Sequence, residues 1–465
     1  MDVLRVALLV LFAGCSVNPR LNAPPDPPSL AFTHVTVIDV ARGVPLPDQT
    51  VVVTGHRIAS AGPASSVRVP RGAQVIDVDG RYMIPGLWDM HTHPEKEEDL
   101  ALFIANGITG IRVMHGEPRH LEWREQIRRG ERLGPVLFVA GPIIEGPPPP
   151  ALASVIPTEG KRLVHTAEEA AGEIRAQKAV GYDFIKVYNN LPRAAYEAIV
   201  AEARRLKLRV AGHVPFEVGL AGALKARQAS IEHLRGYIEP LVPPGAPQQP
   251  GADFRSRALA WRFADPSKMK ALAEATRDAE VWNTPTLACR IDTRPHAEVE
   301  AYLGRPEAAY LSKSHREMLR DRSQIGYLSN FTAEDFRYAA DGYLLEDALI
   351  RALQNAGARL LAGTDLVPWG FSLHRELEEL VSAGLSPREA LAAATRNPAE
   401  FLNAADSFGT VREGKRADLV LLGANPLEDI RNTQRIQAVV IDGRLLNRRT
   451  LDELLATSKK SIAKQ

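Results

Sequence analysis

Between positions 86 and 365 one pattern repeats: a short apolar or β-branched run, then a longer stretch whose apolar residues fall at helical spacing. The runs lie at 86–93, 108–114, 136–144, 182–188, 208–214, 230–234, 281–287 and 360–365. Stretches at 167–179, 194–206 and 344–356 read as helices between them. Short apolar runs bounded by turn residues are buried strands, and strands that alternate with helices build a parallel sheet. Eight such units predict an α/β fold, a (β/α)8 TIM barrel spanning 85–409.

The flanks follow a different rhythm. Residues 32–40, 50–61, 74–78 and 81–84 are β-rich and broken by Gly and Pro; 417–422 and 436–441 read the same way, with Asp442-Gly443 as a turn before Arg444. Short strands punctuated by turns predict a small β domain, drawn from 31–84 and 410–447. The last residues, 448–465, read as a helix running into a basic, frayed tail. At the other end, Val6 to Cys15 is too short to span a bilayer and has the length of a signal-peptide core. Its ending, Phe12-Ala-Gly-Cys15, resembles a bacterial lipoprotein cleavage box. The expectation is a signal peptide over 1–14, a lipid anchor on Cys15 and a Pro- and Asn-rich tether over 15–30. The protein would be exported and held at a membrane, facing the periplasm or the cell exterior, and Ser16 gives no sign of inner-membrane retention.

Composition narrows the partners. Lys plus Arg number 57 against 56 for Asp plus Glu. Near neutrality argues against the basic footprint of a nucleic-acid or anionic-membrane binder. A small-molecule substrate remains, with membrane contact only through the anchor; the oligomeric state is left open. Cys15 and Cys289 are the two cysteines of the chain, so a lipidated Cys15 leaves no intrachain disulfide. Cys289 reads as a small buried apolar residue.

The strand runs also carry chemistry. Five end in metal-competent side chains, six residues in all: His91 and His93 in Asp89-Met-His-Thr-His, Lys186 in Phe184-Ile-Lys, His213 in Ala211-Gly-His, His233 in Ile231-Glu-His, and Asp365 in Ala362-Gly-Thr-Asp. Parallel barrels collect their active site at strand C-termini, so these tips point to one site. Imidazole and carboxylate suit a hydrolytic divalent metal, most often zinc. His91 and His93 are two apart and face the same way on a strand. Lysine as an ammonium has no lone pair. It serves as a ligand only if its amine is neutral and takes up carbon dioxide to become a bridging carbamate.

The ordered set, with Ile84-Pro-Gly-Leu-Trp-Asp-Met-His-Thr-His, Ser230-Ile-Glu-His-Leu-Arg-Gly-Tyr, Leu373-His-Arg-Glu-Leu and Gly409-Thr-Val-Arg-Glu-Gly-Lys-Arg-Ala-Asp-Leu-Val around it, resembles the amidohydrolase superfamily. The resemblance is to the binuclear type with a carboxylated lysine, of the imidazolonepropionase-like and prolidase-like secreted kind, and runs from about Phe32 to Leu446. It implies that the two β-rich flanks meet as one β-sandwich beside the barrel. It implies two zinc ions per chain: His91, His93 and Asp365 on the first, His213 and His233 on the second, and carboxylated Lys186 between them. A metal-bridging hydroxide would attack the substrate, with Asp365 as proton shuttle. The target would be an amide or peptide-like C–N bond, in a dipeptide or N-acyl amino acid. A lactonase or phosphotriesterase using the same metal pair is the alternative within the enzymes; a non-catalytic binding lipoprotein is the alternative outside them.

Four residues are candidates for substrate contact: Tyr188, two past Lys186; His115 after the second strand; Tyr237, four past His233; and His374 at the start of the helix after the eighth strand. A free substrate carboxylate would need a cation, for which Arg112 and Arg235 are candidates. Asp89 is placed to orient His91 from behind. His34, His56, His120, His165, His296 and His315 read as solvent-facing. Three long loops, 141–162, 239–251 and 290–337, follow strand ends and predict a partly covered pocket.

Overall fold

The computed structural model describes residues 29–148 and 158–464. The signal segment, Cys15 and the tether up to residue 28 lie outside these residues, as does part of the first long loop.

Both chain ends build one β unit. Leu30–Asp39, Val44–Thr54, Arg57–Pro63, Gln74–Asp77 and Tyr82–Pro85 join Leu419–Leu422, Ile436–Ile441 and Arg444–Asn447 in an eight-stranded sheet. The seam is antiparallel, with Val420 opposite Ile84 and Leu419 opposite Pro85. The two layers of the expected sandwich are a single hydrogen-bonded sheet. Leu30–Asp39 makes it so, by pairing with Val44–Thr54 on one edge and with Gln74–Asp77, then Tyr82–Pro85, on the other. A bridge from Arg57 to Arg416 brings the outer strand back to the C-terminal piece. The sheet thereby wraps a core of Phe32, Val35, Val51, Met83, Leu421 and Val440.

The parallel strands follow in order. Leu87–Thr92, Ile108–Val113 and Val136–Val139 form one sheet. Ile144–Glu145, Phe184–Val187, Arg209–Gly212, Ser230–Glu232 and Trp282–Thr284 form a second, with the short Arg162–Leu163 at its edge. A parallel bridge between Ala140 and Phe184 joins the two. The run at 360–365 is extended but has no ladder. One bridge ties Leu360 to Asn283, while the Met90 amide donates to Ala362 O (2.9 Å) and the Asp365 amide to His91 O (2.8 Å). Gly363 permits this approach, because a Cβ there would stand 2.7 Å from the His91 amide nitrogen.

Helices fill the crossovers much as the periodicity predicts, at Ala167–Val180 and Arg193–Arg205. The third is longer than its apolar spacing suggests. Ala333–Ala356 begins eleven residues early, where Thr332 and Asp335 bond each other's backbone amides in a capping box. The C-terminal segment is not a frayed tail. Arg448–Ile462 is a helix capped by Asn447, with Leu451 fully buried and Leu454, Leu455 and Ile462 packed against the main core. Its apolar stripe is satisfied by docking beside Glu97–Ala105. Among the described residues no helix is long and apolar enough to cross a membrane.

Candidate active site at the strand tips

All six predicted ligands converge. His91 lies in Leu87–Thr92 and His93 one residue beyond it; Lys186 lies in Phe184–Val187; His213 and His233 each stand one residue past a strand end. Asp365 is the hub: its carboxylate oxygens are 3.2 Å from His93 Nε2, 3.5 Å from His233 Nε2 and 3.7 Å from His91 Nε2. The donor atoms of His91, His93 and Asp365 all lie within 4.8 Å of one another. The His213 ring is 5.0 Å from that of His233, edge on. Lys186 is buried in the same cluster, among the charges of Glu232, Asp365, Arg112 and Arg235. His233 (φ 58°), Leu234 (φ 52°) and Asp365 (φ 50°) are left-handed. That conformation costs an L residue roughly 1–2 kcal/mol, and it turns the chain sharply out of the strand just where these side chains must point inward.

Each buried imidazole is held by the nitrogen that faces away from Asp365. His91 Nδ1 is 2.9 Å from Glu232 Oε2, and His213 Nδ1 is 2.7 Å from Asn189 Oδ1. His233 Nδ1 is 2.6 Å from Thr286 Oγ1, whose own proton goes to Pro285 O. All three partners act as acceptors, so Nδ1 carries the hydrogen and Nε2 keeps its lone pair. Burial together with neighbouring positive charge holds His91 down to about 4, and His213 and His233 well below the usual imidazole range. They are therefore neutral donors at pH 7. Burial alone would raise Asp365, but the protonated forms of His91, His93 and His233 would draw it well below the usual carboxylate range. Neutral imidazoles around an ionised carboxylate are the donor set a divalent metal requires.

Three comparisons bear on this geometry. Residues 346–446 match the family model described as the amidohydrolase family. A solved bottromycin amidohydrolase superimposes with a TM-score of 0.71 at 27% identity, covering 94% of this chain and 91% of that one. In sequence and fold the chain is similar to the amidohydrolase superfamily, which supports a hydrolase acting on carbon–nitrogen bonds. The imidazolonepropionase of Rhizobium meliloti is 26% identical over 82% of this chain and 89% of its own length. A Xaa-Pro dipeptidase, solved with methionine bound in its active site, shares the fold at 21% identity, with a TM-score of 0.65 over 90% of this chain and 100% of that one.

The residues proposed for substrate contact divide in two. Tyr188 is stacked on His213 with ring centroids 4.0 Å apart, and burial pushes its phenol up to about 12, so it stays a neutral donor. His115 stands 6.5 Å from His93, ring to ring, and bonds Gly160 O (3.1 Å). The other two belong elsewhere. Tyr237 is fully buried, its hydroxyl shared between Thr276 (2.9 Å) and Asn283 (3.0 Å). The left-handed turn at His233 and Leu234 breaks the strand, so a residue four further on no longer shares the direction of His233. His374 is buried on the inner face of Phe371–Ser382 and uses both ring nitrogens, on Thr433 Oγ1 (2.9 Å) and Asn106 O (3.1 Å). Both expectations of substrate contact are corrected. So is that of a solvent-facing His120, which is buried with Nε2 on Pro94 O (2.8 Å).

Sequence reasoning passed over the supports. Glu232, beside His233, is wholly buried and takes Arg112 Nη2 on both oxygens at 2.9 Å. Arg112 also donates to Ser230 Oγ (2.8 Å) and Thr284 Oγ1 (3.1 Å). It is thus a brace under His91 and not a substrate anchor. The signal was present: one acid and one base, each set inside an apolar strand run, are expected to find each other. Asp89 accepts from the His91 backbone amide (3.1 Å) and from Thr364 N and Oγ1 (3.0 and 2.7 Å), while the His91 ring is held by Glu232 instead. Burial pushes Asp89 up to about 7. Cys289, its thiol raised by burial, lies 3.1 Å from Thr364 O and 3.2 Å from Asp365 O.

The long loops each send a side chain to the rim. Lys161 lies 4.2 Å over the Tyr188 ring. Phe254, just past the second loop, meets Tyr327 of the third edge-on at 4.9 Å. The Tyr327 hydroxyl donates to Asp292 (2.6 Å). Beside the strand tips a cavity of about 270 Å³ opens between Val214, Pro215, Phe216 and Gly236, with Glu239 and Arg257 at its edge.

Proposed function

We propose that this protein is a zinc-dependent hydrolase that removes an acyl group from the nitrogen of an amino acid, in a dipeptide or an N-acyl amino acid. The observation that carries the reading is the convergence of imidazole Nε2 atoms on Asp365, each buried ring locked from behind. His91, His93 and Asp365 would hold one ion, and His213 and His233 a second. Lys186 supports the pairing: burial draws its amine down to about 8, which raises the share of the neutral form that adds carbon dioxide to give a bridging carbamate. When bound, such ions supply a Lewis acid for the scissile carbonyl and lower the pKa of water. The bridges at Ala140–Phe184 and Asn283–Leu360, with the Met90–Ala362 hydrogen bond, support closing the parallel strands into one eight-stranded barrel that fixes these tips.

The chain's own residues do the rest. Asp365, held ionised, takes the proton from the attacking water and delivers it to the leaving nitrogen. Tyr188 offers its phenolic hydrogen to a substrate oxygen beside His213. His115, Lys161 and the Phe254–Tyr327 pair narrow the entrance and limit water. The amino-acid class is supported by the methionine seen in the related dipeptidase. Three measurements test the reading. Metal analysis of gently purified protein is expected to give about two zinc equivalents per chain. A panel of dipeptides, N-acyl amino acids, lactones and phosphotriesters is expected to show C–N hydrolysis foremost. Asp365→Asn is expected to lower kcat about 10²- to 10⁴-fold with the metal retained. Full activity in that variant removes Asp365 from proton transfer, and turnover of lactones or phosphotriesters alone sinks the amide reading.

A further inference from the structure

Among the described residues, Arg235 is a cation in this site with no ion-pair partner. Its Nε is buried and meets no acceptor among the described residues. The contact on its guanidinium is the face of Phe254, 5.7 Å from the ring centre. The acids nearby are already committed. Glu239 pairs with Arg257, and Glu232 with Arg112 and His91. Glu145 takes the amides of Asn190 and Gly146, and Asp365 faces three imidazoles. Holding a guanidinium half-buried with no counter-ion is costly, and a ring face returns only part of that cost. A fold keeps such a group when a ligand completes it.

Its position says which part of a ligand. Arg235 stands two residues past His233, and its charge reaches Tyr188, Lys186, His213 and His233. The next residue, Gly236, is left-handed (φ 90°) and lies against Val214, the neighbour of His213. The cavity beside the strand tips begins at these same two residues. An amino acid whose nitrogen is at the reacting centre carries its carboxylate one carbon away from that nitrogen, and its side chain on the same carbon. The cation, next to the candidate ligand histidines, matches the carboxylate.

We infer that Arg235 binds the free carboxylate of the substrate's C-terminal amino acid through its planar fork, with the Tyr188 hydroxyl as a second donor. The enzyme is then confined to amide bonds whose leaving amine is an α-amino acid. The inference rests on the C–N hydrolase reading and adds its substrate specificity. A substrate lacking the carboxylate leaves the guanidinium desolvated and unpaired, which penalises it more than the missing contact alone.

The test uses the full-length, zinc-loaded protein and two probes that need no turnover, L-leucine and L-leucinamide, with affinities measured by calorimetry. A charge-assisted pair predicts that the acid binds about 10- to 100-fold tighter than the amide. Arg235→Gln is expected to bring the two to within about threefold, and Arg235→Lys, a point charge without the fork, to fall between. Equal affinities in the wild type, failure of the wild type to bind L-leucine at millimolar concentration, or an undiminished preference in Arg235→Gln overturns the assignment. If Arg235→Gln does not fold, Arg235→Lys carries the test, and an unchanged preference there overturns it equally. Hydrolysis of N-acetyl-L-leucine and N-acetyl-L-leucinamide separates the two levels. Turnover of both at equal rates removes Arg235 from specificity but keeps the hydrolase. Arg235-dependent binding without hydrolysis of any C–N substrate removes the hydrolase.

Discussion

The two sides of the strand-tip site are braced by different physics. His91 leans on charge: its Nδ1 meets Glu232, which is itself clamped by Arg112, with all three side chains at 1% exposure or less. His213 and His233 lean on neutral acceptors, Asn189 and Thr286, which stand in the loops just past their strands. The charged brace also ties strands together, because Arg112 reaches Met90 O, Ser230, Glu232 and Thr284 from three different strands. The neutral braces reach one imidazole each. On the His91 side, orienting a ligand and holding the parallel strands in order are therefore one task; on the other side they are separate.

The largest effect expected follows from that. Glu232→Gln leaves the Arg112 guanidinium buried without its anion, and breaking a buried pair from one side costs about 3–5 kcal/mol. Chemical denaturation should show this loss in the metal-free protein as well as the loaded one. Arg112→Met combined with Glu232→Gln should cost less than the sum of the two single changes, since no unpaired charge remains. A loss seen only in metal affinity, with the fold unaffected, would mean that Glu232 is a ligand support alone and that the contrast between the two sides is wrong.

How much of this was readable follows the same division. The convergence of the six candidate ligands was legible because each is a polar residue ending an apolar run, and strand direction is fixed by a period of two. The order of the parallel strands was legible from the alternation of apolar runs with helical stretches, whereas the seam between the two chain ends followed only from the family resemblance. The supports were harder. Glu232 looked like an appendage of His233, and only the parallel pairing that sets Ser230–Glu232 beside Trp282–Thr284 reveals that it faces Arg112. Asn189 and Thr286 lie in irregular backbone with no period to read; Thr286 is itself left-handed (φ 55°). Tyr237 and His374 were misplaced by carrying strand or helix-end geometry past a turn. The docked C-terminal helix was misread because its basic end hid the apolar stripe at Leu451, Leu454 and Leu455.

Acid should separate the two sides next. His91 has a folded value of about 4 against an ordinary 6.5. Between those values the unfolded chain binds the extra proton, so stability is full above pH 6.5 and drains as pH falls toward 4. At about 1.4 kcal/mol per unit, this one group accounts for about 3 kcal/mol. His213 and His233 shift in the same direction and add to the slope. Glu232 is shifted below its ordinary 4.5, chiefly by Arg112 against the cost of burial. Its contribution survives until pH drops below 4.5, so the charged brace fails after the imidazoles do. Thermal melting of metal-free protein from pH 8 to 3 should show a first decline below 6.5 and a second below 4.5, with the second missing in Glu232→Gln. A single decline confined to pH below 4.5 would show that the imidazoles are not held neutral.

The neutral braces give a smaller, separable effect. Asn189→Ala and Thr286→Ala free the rings of His213 and His233 without leaving a charge unpaired. Loss of such an orienting partner typically weakens metal binding about 10- to 100-fold. Competition with a chelator should show that loss, while the melting temperature of the metal-free protein stays near wild type. A fall in metal-free stability comparable to that of Glu232→Gln would erase the distinction between the two sides.

The smallest effect tests whether the contrast stops at the site. Tyr237 follows His233 by four residues yet points into the core, where its hydroxyl joins Thr276 to Asn283. Tyr237→Phe keeps the ring and removes that link, leaving Asn283 Oδ1 short of a donor in a buried setting. A single buried hydrogen bond is worth about 1 kcal/mol, and denaturation should register that much. KM and kcat should not move, because the hydroxyl faces away from Asp365 and the ligand rings. A raised KM at unchanged stability would return Tyr237 to the pocket and would mean that the left-handed turn at His233 and Leu234 does not redirect the chain as its geometry implies.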